Sequence, residues 1–240
     1  MWSKFNVKMK FGIVNFPGSS GFSDMVYAVH YIMGHDVVEL WHESSDLQGA
    51  DIVILPSGSS FGDLPAAGAV AAKSPIISVI KSKIDNSSNL IVLGVGNGFQ
   101  ILCNSGMLKG SLATNLHNSF ISKNIFVKPD NTNTALTRMI QKEQILQLPV
   151  AHFFGRFIAD KDILRELHQN DQILLRYCCD DGKITSEANP DGSIDNIAAI
   201  CNASKNVFGI MACPERAVDH ELGNTDGLVF FQSLINQKPT

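Results

Sequence analysis

The sequence predicts an α/β fold: a three-layer sandwich with a mostly parallel central sheet flanked by helices. Four short β-branched runs, Phe11–Phe16, Val37–Trp41, Asp51–Leu55 and Leu90–Val95, lack polar–apolar alternation, as befits strands buried on both faces. Helical or loop segments separate them, giving the βαβ rhythm of right-handed crossovers. The fourth run then breaks abruptly. Leu90 to Leu102 reads L-I-V-L-G-V-G-N-G-F-Q-I-L, an apolar strand, a glycine-rich turn and an apolar helix start.

Between the first two runs, Asp24–Met33 sets Val26, Val29, His30 and Met33 at helical spacing. Asp63–Ile84 is a longer helical stretch, with a break expected around Ser74-Pro75. The second half is less regular. Asn115–Asn133 is polar and turn-rich around one strand-like piece, Ile121–Val127. Further strands are expected at Gln144–Val150, Gln172–Cys178, Ile197–Cys201 and Val207–Met211, with Asn189-Pro-Asp-Gly192 a strong turn signal. Thr225–Ile235 reads as a closing helix capped by Thr225 or Asp226. No internal repeat, low-complexity segment or linker divides the chain, so residues 9–240 are expected to form one domain. Met9-Lys10 abuts the first strand, which makes residues 1–8 an N-terminal extension.

At 240 residues the chain can bury a substantial core, and 45% hydrophobic with 18% charged residues excludes disorder. A net charge of -4 without a basic run gives no case for nucleic acid. The charged N-terminus lacks the apolar stretch of a signal peptide, and no apolar run is long enough to span a bilayer. Five cysteines without a C-x-x-C pair suit a reducing compartment, so the expected location is cytoplasmic. Adjacent Cys178 and Cys179 would point to opposite faces of a strand and make a poor metal clamp. No histidine pair has zinc-site spacing, and no metal is expected.

Gly94-x-Gly96-x-Gly98 invites a dinucleotide-binding interpretation, but Phe99 stands where that motif needs glycine, and no ribose-binding acid follows at the required distance. Two interpretations remain: a tight strand-to-helix turn, and an elbow that lifts one reactive side chain above a parallel sheet. In the second, the apex is Gly96, which has no side chain to offer.

Other motifs follow in order: Pro17-Gly18-Ser19, Pro56-Ser57-Gly58-Ser59-Ser60-Phe61-Gly62-Asp63, Asn97-Gly98-Phe99-Gln100-Ile101-Leu102, Pro149-Val150-Ala151-His152, Asn189-Pro-Asp-Gly-Ser193, Asn196–Asn202 and Met211-Ala-Cys-Pro-Glu-Arg216. Together they resemble the class I glutamine amidotransferases, and most closely the glutaminase-subunit family of phosphoribosylformylglycinamidine synthase, over about Met9–Ile235. The resemblance implies purine biosynthesis. A cysteine thiolate would attack the glutamine amide, a histidine pass the proton and a glutamate orient that histidine, with ammonia released to a partner synthase.

Carried over by position, the family's cysteine falls on Gly96 and its histidine on Cys213, while its glutamate is present as Glu215. The family's P-G-G oxyanion loop is Pro56-Ser57-Gly58 here. Ala66 replaces an arginine two residues before the glycine Gly68, which the family pattern places in a helix. The family's G-E-G-R after Ala151-His152 becomes Phe153-Phe154-Gly155-Arg156, losing a carboxylate and gaining two phenyl rings. Ser57, Gly58, Gln100 and His152 are the implied substrate-binding residues. The resemblance further implies no cofactor in this chain, ATP and magnesium in a large synthase subunit, a small accessory subunit, and L-glutamine as ligand if a pocket remains.

The expectation is a subunit of that complex with little or no glutaminase activity. Two alternatives stay open: an active glutaminase using Cys213 or His152, and a free-standing protein that reuses the pocket for another ligand. Against the first, Cys213 is also readable as a small buried residue and His152 as a hydrogen-bonded structural histidine. Cys103 lies about two turns into the elbow helix, too far to substitute.

Overall fold

The computed structural model describes residues 8–63, 67–86 and 89–235. Most of the proposed extension, residues 1–7, and Ala66 lie outside the described residues.

The strands are β1 (Lys10–Asn15), β2 (Asp36–Trp41), β3 (Ile52–Leu55), β4 (Ile91–Val95), β5 (Ser111–Ala113), β6 (Ile121–Pro129), β7 (Leu146–His152), β8 (Arg156–Ile158), β9 (Ile173–Cys178), β10 (Ile197–Cys201) and β11 (Val207–Ile210). Helices are α1 (Phe22–Val26), α2 (Pro75–Asp85), α3 (Asn97–Asn104), α4 (Lys161–Gln169) and α5 (Leu228–Ile235). One sheet of nine strands has the order β2-β1-β3-β4-β11-β10-β9-β6-β7, and β5 pairs with β8 in a small ribbon.

The sheet is mixed. Pairings from β2 across to β11 are parallel, as the βαβ rhythm predicts, whereas those from β11 to β7 are antiparallel. Parallel neighbours need a crossover, while antiparallel ones can follow directly, as β10 and β11 do through the turn between Cys201 and Val207.

Alternate residues of the buried strands feed two cores. Ile52 and Ile54 join one with Phe11, Ile13, Met25, Val29, Phe230 and Phe231. Val53 and Leu55 join the other with Ile76, Ile80, Phe99, Leu102 and Leu167. Thus α1 and α5 cover one face, and α2, α3 and α4 cover the other, completing the three-layer arrangement.

Several sequence expectations need correction. The break expected at Ser74-Pro75 is present, with α2 starting at Pro75, where a missing N–H costs nothing, but the part of Asp63–Ile84 before it is not α-helical and ends in a 3₁₀ turn at Ala71–Lys73. Gly68 lies in a turn at φ +74°, not in a helix, and a Cβ there would come 2.9 Å from Ile101 N. The Asp24–Met33 helix turns π-helical over Tyr27–Ile32. Neither Thr225 nor Asp226 caps α5 with its side chain. The helix begins at Leu228, and Asp226 Oδ2 accepts from Gln147 N at 2.8 Å instead. Cys179 lies beyond the end of β9, its N–H donating to Lys183 O at 2.8 Å, so the two adjacent cysteines do not share a strand.

The short ribbon strands β5 and β8 and helix α4 were not anticipated. For α4 the signal was present: Asp160 accepts from Ile163 N at 2.8 Å, capping a helix that buries Leu167 on an otherwise polar segment.

Candidate functional site

In open α/β sheets, loops at the carboxyl ends of the strands converge on one edge. Here that edge collects Ser57 and Gly58 after β3, Gly96 after β4, Cys213 and Glu215 after β11, and His152 at the end of β7. Pro149 O accepts from Cys213 N at 2.9 Å, tying β7 to the β11 loop. This edge thus holds six of the seven residues expected from the sequence, and the seventh, Gln100 in α3, lines the same cavity as Ser57, Gly96, His152 and Cys213.

Gly96 has φ +53° and ψ −108°, outside the left-handed helical region and forbidden to most side chains. An L-residue there carries strain on the order of 1–3 kcal/mol, which glycine avoids. The flanking glycines serve packing. A Cβ on Gly98 would lie 1.9 Å from Leu55 O, and one on Gly94 would lie 2.6 Å from Gly98 C. Both interpretations of the motif thus hold together: a tight turn that packs α3 onto the sheet, with an elbow geometry at an apex lacking a reactive group.

Glu215 is buried, and its Oε1 accepts from Ser57 Oγ at 2.7 Å. Oε2 has no hydrogen-bond partner. Burial pushes the carboxyl up to about 7, against the opposing pull of the Ser57 hydrogen bond. Cys213 is 2% exposed, and burial, reinforced by the neighbouring Glu215, drives its thiol far above the usual range. A thiol held protonated is neither nucleophile nor base at neutral pH.

His152 is buried in a fixed tautomer. Asn115 Nδ2 donates to Ser119 O at 2.9 Å and to His152 O at 3.0 Å, so Asn115 Oδ1 is the acceptor. That oxygen receives Gly155 N and His152 Nδ1, each at 3.1 Å, which puts the imidazole proton on Nδ1. The bare Nε2 has no hydrogen-bond partner and lies 3.7 Å from Asp191 Oδ2. Asp191 is itself occupied, accepting from Tyr177 OH at 3.2 Å and from Ser193 Oγ at 2.6 Å. Burial lowers His152 to about 4, so the ring is neutral at pH 7.

Gln100, the remaining expected ligand contact, is spent internally. Its Oε1 accepts from Asn97 Nδ2 at 2.7 Å, and its Nε2 donates to Phe154 O. Phe153 and Phe154 pack edge to face, 5.0 Å between ring centroids. A cavity of about 140 Å³ remains between Ser57, Gly96, Gln100, His152, Phe154 and Cys213. This is well below the roughly 300–1,000 Å³ of typical small-molecule sites. A larger open groove, about 680 Å³, lies at the opposite edge, against Met9, Asp51, Lys83 and Leu90 at the amino ends of strands. None of the expected site residues lines it.

Residues beyond those expected complete the site. Asn97 joins Gln100 to the Ser60 N–H, which it accepts at 3.2 Å, and Asn115, Tyr177 and Asp191 build the support behind His152. Asp191 was legible only as part of a turn motif, and Asn115 only as one polar residue among many. No group of three or more metal-ligating side chains occurs among the described residues.

The CobB/CobQ-like glutamine amidotransferase domain model matches residues 8–226. The chain is 41% identical over 227 residues to the phosphoribosylformylglycinamidine synthase subunit PurQ of Koribacter versatilis, covering 95% of this chain and 97% of that protein. It belongs to the PurQ family. The structure of PurLQS from Thermotoga maritima superposes with a TM-score of 0.83 at 33% identity, covering 96% of this chain and 99% of the other. The glutaminase domain of Trypanosoma brucei CTPS, at 12% identity and a TM-score of 0.58, shares the fold. The PurQ resemblance of the motifs thus extends to the whole architecture. No helix among the described residues is long and apolar enough to cross a membrane.

Proposed function

We propose that the chain is a subunit of the phosphoribosylformylglycinamidine synthase complex of purine biosynthesis that hydrolyses little or no glutamine itself. It would dock on a large synthase subunit, alongside a small accessory subunit, and that large subunit would hold ATP and magnesium. Free ammonia would then be the nitrogen donor.

The observation that carries this is the elbow without a reagent. Gly96 supplies no nucleophile, and the buried Glu215 is bonded to a serine hydroxyl where an imidazole would be needed. In a worked serine-protease case, loss of nucleophile or base alone costs about a million-fold in turnover. Neither proposed substitute is suited to the task. Cys213 stays protonated, and the protonated nitrogen of His152 is committed to Asn115. A free-standing binding role is disfavoured by the small cavity and by the internal satisfaction of Gln100.

The test mixes the chain with its large and small partner subunits, ATP, magnesium and formylglycinamide ribonucleotide, and compares nitrogen donors. Ammonium is expected to support turnover and glutamine to fail. Glutamine-driven turnover abolished by Cys213→Ala would overturn the proposal and make that thiol the nucleophile.

A further inference from the structure

We propose that Ser57 is the residue that closes this site. Its side chain crowds the space that any side chain at position 96 would enter, and its hydroxyl serves Glu215 in place of a base. The site's inactivity is then set jointly at positions 57, 96 and 213. This rests on the proposed lack of glutaminase activity and adds its structural cause.

A Cβ placed on Gly96 would lie 3.3 Å from Ser57 Cβ and 3.6 Å from Ser57 Cα. The first distance is tighter than ordinary packing, so Ser57 would have to give way. It is held from three sides. Ser57 O accepts from Gly21 N at 3.1 Å, fixing the backbone. Ser57 Oγ lies 2.2 Å from where a Cβ on Gly21 would stand, so the hydroxyl fills the notch that this glycine leaves. The same oxygen donates to Glu215 Oε1 at 2.7 Å.

Retreat from position 96, by a few tenths of an ångström, would stretch that last bond. Because Oε2 already lacks a partner, this weakens the hydrogen bond that serves a buried carboxyl. Ser57 therefore cannot move aside cheaply. Glycine at 96 and serine at 57 are mutually fitted, and the serine also compensates for the missing imidazole beside Glu215.

The experiment is a stability cycle, measured by denaturant unfolding on the full chain. Gly96→Ala is made in three backgrounds: the unmodified chain, Ser57→Gly and Ser57→Ala. Backbone strain at position 96 is common to all three and cancels. Gly96→Ala is expected to raise the unfolding constant about tenfold more with Ser57 than with Ser57→Gly, the middle of the range for residues in contact. Ser57→Ala keeps the Cβ but loses the hydroxyl's tether to Glu215, so its cost should fall between the other two. Equal costs in all backgrounds would overturn the proposal.

A companion assay in the assembled complex compares Gly96→Cys/Cys213→His with the same pair plus Ser57→Gly. At least tenfold more glutamine hydrolysis is expected from the triple variant. A triple variant no more active than the double would overturn the obstructing role. Glutamine turnover by the unmodified chain would overturn this inference and the proposed function together, whereas equal stability costs overturn this inference alone.

Discussion

Replacing Glu215 by glutamine tests the electrostatics of the site directly. The carboxyl sits at about 7 in the folded chain, against an ordinary 4.5, chiefly because it is buried, a cost that the Ser57 hydrogen bond and the Arg216 charge only partly offset. A carboxyl raised on folding contributes stability that is fully present below pH 4.5 and is lost as pH rises through about 7. At about 1.4 kcal/mol per pH unit, the loss amounts to about 3 kcal/mol in full. Glutamine preserves the shape and the acceptor for Ser57 Oγ but does not ionise. Denaturant melts at intervals from pH 4.5 to 8 should therefore show Glu215→Gln gaining on the unmodified chain by about 3 kcal/mol as pH rises. In thermal melts this is a relative gain of about 10 °C for a chain this long. All other titrating groups are common to both proteins. A stability difference that does not change with pH would refute the claim that Glu215 is an unpaired buried acid.

His152 should shape the acid side in the opposite sense. Its pKa falls to about 4 on burial, from 6.5, so its contribution is present above pH 6.5 and is lost as pH falls toward 4. His152→Gln should remove about 3 kcal/mol of that acid-side slope, read from urea midpoints between pH 4 and 7, whatever it does to stability at neutral pH. Gly98→Ala should destabilise by about 3 kcal/mol in denaturant melts, because the new methyl would meet the Leu55 carbonyl at 1.9 Å and backbone yields poorly. Gly34→Ala is the control: at φ +73° with nothing within 4 Å, it should cost only about 1 kcal/mol.

Legibility differed between the halves of the chain. The parallel strands β1 to β4 were readable within a residue at each end; β3 and β4 are buried throughout and apolar, whereas the edge strand β2 is half exposed, against expectation, and shows through Val37, Val38 and Leu40 instead. Helix α4 was overlooked although its cap and amphipathic pattern were visible, since its few apolar residues were not read at helical spacing. The ribbon strands β5 and β8 are short, and pairing across the intervening chain defines them more than composition does. At the site, glycine-rich turns and the positions of Gly96, Cys213 and Glu215 were evident from local order. Asn115 and Asp191 were not, because Asn115 acts by bonding His152 and Asp191 faces the ring's other nitrogen at 3.7 Å, a neighbourhood that exists only once β7 reaches the same edge as the loops.

The sequence by itself determined the family, the layered α/β architecture and the glycine, without a side chain, at the elbow apex. Those features reside in local pattern: apolar periodicity, glycine at a turn, and motifs in a set order. What only the tertiary structure decided is what surrounds that apex. Ser57 and Glu215 are 158 residues apart in the chain and bond at 2.7 Å at the carboxyl edge of the sheet. In the sequence, Ser57 is one polar loop residue among many. Its consequence appears only when folding brings that hydroxyl against a buried carboxyl and that Cβ against the empty apex. Burial and contact belong to the three-dimensional neighbourhood, and neither is written in the residue type alone.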